Sequence, residues 1–444
     1  MSGFRKFVPE QAYNEMDLFL HVGMFKKSGR LPLRVRHRGY LVELFLQFGY
    51  GMMQHSKDLI ESWNGGTVIL SPRDLSDSQL RTLSKDIIKT QGGKILLDPQ
   101  FYLPHADHER LCAHDFWPSG YSTGTFFQGR ELLLLIAKLD QLNAALGTEG
   151  MIVPGLLAAT VNDSWIQTQT DILDVAKNAV TRRPLIMTIA LGADVPKHQE
   201  LIAAILEAAE TSWQAQAYYI VCEHPNGDYL VQDPNWLANL LDLIAGLRLI
   251  GSQTILGYCN HQFLLAELAC STSICSGTWM NVRSFPPDKF RETLDDEVKQ
   301  RNTWYYCPQA LSEYTIPFLD VAYRQGLISR MAPDPNVDGG YARLLFSGVQ
   351  PTTVSFSERQ AFRHYLHSLH SQVQSLRHSG YDESRARHEQ ILDNAEDLLQ
   401  SLHGIGVRGR KRDFLNILDV NRAAISILDS TRGPMLRRRW SALC

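Results

Sequence analysis

The 444-residue chain contains no run approaching the ~20 consecutive apolar residues that a bilayer-spanning helix needs. Its start also lacks an unbroken apolar stretch, because Arg5, Lys6, Glu10 and Glu15 come early. Together these absences predict a soluble protein that is neither embedded in a membrane nor exported. Cysteine is scarce and odd in number: seven residues, scattered without paired spacing, exclude a disulfide scaffold and fit a reducing cytoplasm with buried free thiols. There is no solenoid-type repeat, no low-complexity tract and no glycine fingerprint for a nucleotide. Two groups have metal-ligand residue types, His105, Asp107, His108 and His114 in one and Glu223, His224 and His261 in the other. Neither matches a metal motif in spacing, so no metal and no cofactor is expected.

What the chain does have is a recurrence. Short β-branched apolar runs ending in polar or turn residues alternate with amphipathic stretches: TVILSP from Thr67, KILLDP from Lys94, MIVPG from Met151, LIMTIALG from Leu185, YYIVCEH from Tyr218, TILGYCNH from Thr254 and SICSGTW from Ser273. Strands of this kind, buried on both faces and separated by helices, belong to parallel βα units. FLHVGM from Phe19 supplies an eighth strand, and eight units close a (β/α)8 barrel. The predicted fold is therefore an α/β, TIM-like barrel with a C-terminal helical extension. Residues 1–66 form a lead-in with a possible first strand and a helix from Tyr40 to Trp63, 67–330 the barrel body, and 331–444 a helical, basic region. In that last region, SERQAFRHYLHSLHSQVQSL from Ser357 places Phe362, Tyr365, Leu366, Leu369 and Val373 on one helical face, and further helices are expected around 383–403 and 411–429.

A barrel of this type carries its active site at the C-terminal ends of its strands. Asp98 ends KILLDP and is followed by Phe101 and Tyr102, so it can act as general acid, base or nucleophile beside aromatic walls, or simply cap a turn. Glu223 and His224 end the fifth run, and Tyr258, Asn260 and His261 end the sixth. All are expected at the same mouth. Gly277, Thr278, Asn281 and Arg283 after the last run could hold a phosphate. The aromatic, His-rich segment 101–129 is too long for an ordinary connection and reads as functional.

Charge is unevenly spread. The net charge of −3 hides eight Lys/Arg against three acids in residues 1–40 and nine against three in 405–444. The basic clusters Arg408, Arg410, Lys411 and Arg412, and Arg437, Arg438 and Arg439, are candidate contacts to nucleic acid phosphates, or ordinary solvated helix faces.

The order of these strand ends resembles the tRNA-guanine transglycosylase superfamily, barrel enzymes that exchange guanine for a 7-deazaguanine. KILLDPQFY is similar to that family's strand ending in an Asp before an aromatic turn, and YYIVCEHPNG to its base-reading strand. QTILGYCNHQFLLAELACSTSICSGTWMNVR is similar to its next two strands with an Arg-bearing loop, and AFRHYLHSL to its C-terminal helix. The resemblance implies base recognition and acid/base chemistry at Asp98. Two departures stand out: Cys275, Ser276 and Gly277 occupy the place of the family's nucleophilic Asp, and SGVQPTTVSFSERQAF lacks the family's zinc-binding cysteines.

Three functions follow as expectations. The first is a nucleobase or N-glycosidic-bond enzyme acting on tRNA or DNA, with Asp98, Glu223 and His224 catalytic and with Phe101, Tyr102, Tyr258, Asn260, His261 and Arg283 binding substrate. The second is a non-catalytic barrel that binds nucleic acid or protein. The third is a metal-dependent hydrolase built on the His-rich loop. Association with protein partners or into a homo-oligomer is a further expectation.

Overall fold

The computed structural model of the chain describes residues 42–103, 106–118, 128–180, 182–291, 302–335, 339–376 and 379–443. Its main sheet is built from β1 (Glu43–Gln47), β2 (Gly66–Leu70), β3 (Gly93–Leu97), β4 (Met151–Ile152), β5 (Leu157–Ala158), β6 (Leu185–Leu191), β7 (Ala217–Cys222), β8 (Gln253–Leu256) and β9 (Ser273–Ser276). The strand order is β3-β2-β1-β9-β8-β7-β6-β4, with β5 also on β6, and every pairing is parallel. The two ends of this path meet. The amide of Glu149, just before β4, donates to the Ile95 carbonyl of β3 at 3.1 Å, and the Leu157 amide donates to the Tyr102 carbonyl at 2.9 Å. The sheet thus curls into an α/β TIM-like barrel, in which parallel strands bury both faces and each needs a crossover.

All seven expected runs are strands. The first wall strand, however, is β1, inside the stretch 40–63 that the sequence assigns to a helix. VELFLQF is apolar at nearly every position rather than on one helical stripe, which suits a strand covered on both sides, and the helix starts only at Met52, beyond Gly49 and Gly51. The alternative first strand from Phe19, like the basic residues 1–40, lies outside the described residues. Several helices begin where their sequences signal it. Ser76 and Ser357 each close a capping box with a Gln three residues on. Asp233 accepts from the Asn235 and Trp236 amides at the start of Pro234–Leu249, which also has Pro at its first position.

The ring is completed late in the sequence. Glu358–Ser375, placed in the extension by sequence, is the barrel's eighth helix: the Trp63 indole donates to His367 Nδ1 at 3.1 Å, and Phe362 packs edge-on to Trp279 and His55. Between β9 and this helix the chain makes an antiparallel hairpin, β10 (Trp304–Cys307) with β11 (Ser312–Thr315), which the sequence reading missed. The β8–β9 crossover holds only a 3₁₀ segment, His261–Glu267. Tyr381–Gly404 docks there through Ser384 and His388, whose side chains both reach the buried Glu267 carboxylate. The C-terminal helices Leu418–Thr431 and Gly433–Leu443 complete the cover. Arg432 grips Asp242 through two bonds of 2.7 and 3.0 Å, and Arg439 donates to the Leu249 carbonyl. This doubled layer explains why Pro234–Leu249 is buried around nearly its whole circumference. No described helix is long and apolar enough to cross a membrane.

The interior is tightly fitted around one phenol. A Cβ at Gly257 would stand 2.7 Å from the Tyr219 hydroxyl and 2.8 Å from its ring, while the Gly257 amide is fixed on Ile220 at 2.8 Å. We expect Gly257→Ala to lower stability by about 1–3 kcal/mol through overpacking, measured as a lower denaturant midpoint at unchanged m-value.

Candidate functional site

Asp98 follows β3 and shares hydrogen bonds with residues of β7 and the β8 loop, which lie on the far side of the sheet order, so its carboxylate points across the barrel interior. It is fully buried and surrounded by donors. Its oxygens accept from Tyr102 Oη at 2.8 Å, Tyr258 Oη at 2.9 Å and the Gln100 amide at 2.9 Å, and Tyr219 Oη lies at 3.3 Å. Tyr219 is nearer to Gln47 Oε1, at 3.0 Å, and its single proton can serve only one of the two acceptors. Burial pushes the Asp98 pKa up, and the bonds from Tyr102, Gln100 and Tyr258, with the Lys289 charge, only partly offset it.

The backbone is bent to make this arrangement. Gln100 and Tyr258 both sit in the left-handed region, at φ 55° and 57°, where side-chain-bearing residues cost on the order of 1–3 kcal/mol. Gln100 is locked by the Arg73 amide at 2.9 Å and by Ser71, and its Nε2 reaches Tyr258 Oη at 3.3 Å.

Residues 280–291, leaving β9, cross over this group. Phe285 packs on Tyr102 and Tyr258, with ring centroids at 4.9 and 5.1 Å, and Phe290 packs on Tyr102 at 5.2 Å. The segment is tied down by Arg73, whose Nε donates to the Lys289 carbonyl at 2.5 Å, and by the His108 amide on the Phe290 carbonyl. Lys289 lies 9% exposed, its Nζ 3.8 Å from the Tyr258 ring centroid and 2.9 Å from the Asn281 carbonyl, with no ion-pair partner among the described residues. Burial pulls its pKa down to about 7, against the attraction of Asp74 and Asp98. A buried lysine without an ion-pair partner is rare.

The predicted residues divide into two groups. Asp98, Tyr102 and Tyr258 come together, and Phe101 flanks them against Trp117 at 4.6 Å. Glu223 is half-buried at the rim, where burial raises its pKa and the Ala193 amide binds it at 3.2 Å. The expected convergence of the rest does not occur. His224 turns onto Trp236 and Phe263, with Nδ1 2.9 Å from the Asp228 carbonyl, and burial takes its pKa to about 4. Strand alternation explains this: Glu223 and His224 are adjacent, so only one can face the mouth. Asn260 caps the 3₁₀ turn after β8. His261 and Arg283 belong to a second cluster under the β10–β11 hairpin.

That second cluster centres on Glu313. The carboxylate accepts from Tyr229 Oη at 2.8 Å, Arg412 Nη1 at 2.7 Å and Arg283 Nη1 at 3.2 Å, while Arg283 stacks 3.4 Å from the Tyr365 ring centroid. Burial alone would raise the Glu313 pKa, but Arg412 and then Arg283 outweigh it and hold it near 2. His261 lies among Tyr306, Tyr365 and Phe414, its pKa taken to about 4 by burial. Of the seven basic C-terminal candidates, Arg410, Lys411 and Arg438 are exposed and the other four are engaged within the fold. Arg408 meets His403, Arg412 meets Glu313, Arg437 pairs with Asp382 and Asp429, and Arg439 holds Leu249. In the His-rich loop, His114 Nε2 lies 2.9 Å from the Pro72 carbonyl, while His105 falls outside the described residues. Among the described residues no cluster of three His, Cys, Asp or Glu could hold a metal.

Sequence reasoning missed Lys289, Tyr219, Gln47 and Gln100. For Tyr219 a signal existed: in YYIVCEH the second Tyr shares the alternate-residue face of Glu223. Lys289 carried no signal, because it follows the last strand by more than ten residues in a Pro-rich turn.

No protein-family model matches the chain, and no curated protein matches it. Similar solved structures include the 3-dehydroquinate dehydratase from Aquifex aeolicus VF5, 13% identical over 56% of this chain and 95% of that one, with a TM-score of 0.32. DHDPS from Cyanidioschyzon merolae with lysine bound is 11% identical over 57% and 74%, with a TM-score of 0.32. The carboxyl transferase domain from Rhizobium etli pyruvate carboxylase with pyruvate is 9% identical over 90% and 78%, with a TM-score of 0.34. Overlaps this low bear on neither substrate nor mechanism here, and the barrel stands on its own strand order and register.

Glu313→Gln should cost about 3–5 kcal/mol at neutral pH, since it leaves two guanidinia facing an uncharged amide. A folded pKa near 2 lies below the unfolded value of about 4.3, so the wild-type advantage is full above that value. It should shrink as pH falls towards 2 in paired urea titrations. Lys289 has the same sign of linkage at higher pH. Its folded pKa of about 7 lies below an unfolded value of about 10.4, so wild-type stability falls as pH drops across that interval. Lys289→Met should therefore be more stable than wild type at pH 7, with the gap closing towards pH 10.

Proposed function

We propose that this barrel acts at a nucleobase or its N-glycosidic bond, with Asp98 as the proton-transfer group. The observation that carries the reading is a fully buried carboxyl, its pKa raised by burial, set at a barrel strand end among three phenols and an aromatic cover. A raised pKa keeps a larger share of Asp98 protonated, which is the form that can protonate a departing base or bind a purine-type ring nitrogen. Tyr102, Tyr258, Phe285 and Phe290 offer ring faces of the kind on which a base stacks, and Glu223 stands at the rim to read its edge. The substrate class is a nucleic acid, tRNA or DNA, in line with the resemblance to transglycosylases. A cytoplasmic setting fits seven cysteines scattered without paired spacing.

A second reading, a non-catalytic barrel that binds nucleic acid or protein, is favoured by one observation. The Asp98 acceptors are already filled by phenols and a backbone amide, and the last strand carries Cys275, Ser276 and Gly277 where the resembling enzymes have a nucleophile.

Asp98→Asn separates the two. Release or exchange of base from tRNA and from single-stranded and duplex DNA should fall by at least about a hundredfold, the scale of general acid catalysis, with nucleic-acid affinity within about twofold across a salt series. Unchanged turnover in the variant would make Asp98 structural.

A further inference from the structure

We propose that Lys289 is the covalent nucleophile of this site, adding through Nζ to the anomeric carbon of a nucleoside or to the aldehyde of an abasic deoxyribose. This rests on the nucleobase reading and deepens it, because the chemistry that reading requires has no carboxylate nucleophile on β9. The last strand ends in Cys275 and Ser276, and the next reactive side chain that the chain sends to the same mouth is Lys289.

Geometry supports the role. The segment that carries Lys289 is pinned on either side of the mouth, by Arg283 Nε on the Gly277 carbonyl at 2.9 Å and by Arg73 on the Lys289 carbonyl. The amine lies against the face of Tyr258, and Tyr258 bonds Asp98, so acid and amine flank one aromatic wall. Nζ donates to the Asn281 carbonyl and makes no ion pair among the described residues, with Asp74 and Asp98 attracting it only from further off. A structural buried lysine is normally paired, whereas a nucleophilic one must shed its proton near neutral pH, and burial with a pKa of about 7 provides that.

The step balances without an added reagent. The Nζ lone pair forms a bond to C1′ as the glycosidic C–N bond breaks. The bonding pair leaves with the base, which takes the proton of the Asp98 carboxyl. The new ammonium then returns a proton to Asp98, and as the C1′–O4′ bond breaks the departing O4′ takes that proton, leaving an iminium between Nζ and C1′. Water adding at C1′ gives the open aldehyde, or an incoming base adds there and the O4′ hydroxyl recloses the ring; in either case the lysine leaves as its ammonium, carrying the protons the nucleophiles lose, and returns one to Asp98.

The test uses the full chain with a DNA oligonucleotide carrying one abasic deoxyribose, single-stranded and duplex, and sodium borohydride to reduce the iminium. A covalent complex is expected, with the reduced adduct mapped by peptide mass spectrometry to Lys289. Its yield should fall at least about tenfold in Lys289→Arg and in Lys289→Met, both folded by circular dichroism. No adduct, or one on other amines that is unchanged in the Lys289 variants, overturns the proposal. Base release from intact tRNA and DNA is followed in parallel with the wild type. Release without an adduct sinks Lys289 and spares the nucleobase reading, whereas an adduct without release keeps Lys289 as a carbonyl nucleophile and sinks that reading.

Discussion

The Glu313 carboxylate fixes the geometry on which the rest depends. It gathers three positively or partially positively charged groups from segments far apart in sequence: Tyr229 after β7, Arg283 after β9, and Arg412 from the C-terminal region. In a dry interior such a group holds only if every partner stays, since one unpaired guanidinium or carboxylate is worse than an apolar filling. The ion cluster therefore acts as a three-way clamp between barrel, hairpin and tail. Because Arg283 opens the segment that crosses the mouth, the clamp also decides where Phe285 and Lys289 come to rest over Asp98.

Inside the barrel the same logic runs with neutral donors. Asp98 is stabilised by phenols rather than by a cation, which leaves its proton affinity high and its surroundings crowded. The left-handed Gln100 and Tyr258 and the buried, unpartnered Gln47 Nε2 gather at this one place. Such conformations and unpartnered buried atoms also occur away from the mouth, as at Leu311, Tyr381 and Asn421, so what sets these apart is that they surround the Asp98 carboxyl. Outside the mouth, polar side chains such as Asp242, Glu267 and His364 have found partners.

The parts of this architecture written in local pattern were legible. Apolar runs of strand length and glycine and proline punctuation lead directly to a parallel barrel, and Asp98 emerges from its strand-end position alone. What was illegible depends on three-dimensional closure. VELFLQF runs straight on towards a helical stretch, and its strand character is settled only by β9, which pairs with it from far along the chain. His224 and His261 have the chemistry of a site, but which way a strand-end side chain turns is settled by a two-residue alternation too short to register from outside. Arg412 and Arg437 look like free positive charge because their carboxylate partners, Glu313 and Asp382, are distant in sequence. Lys289 is visible only once the segment is seen to fold back.

The pairing of β1 with β9 sets a timetable for synthesis. Glu43 finds Ser273 as its register partner, so a chain emerging N-terminus first carries an unsatisfied strand edge through the whole interval between those residues, roughly 10–50 s at common elongation rates. Even then the seam stays bare on its outer side until Glu358–Ser375 has been made, with the hairpin interposed. Contacts of such long sequence separation form slowly. A half-built barrel with an open edge is thus an obligatory stage of every molecule's birth, which makes the folding helpers of the cell, as much as the finished core, a determinant of how much active protein accumulates.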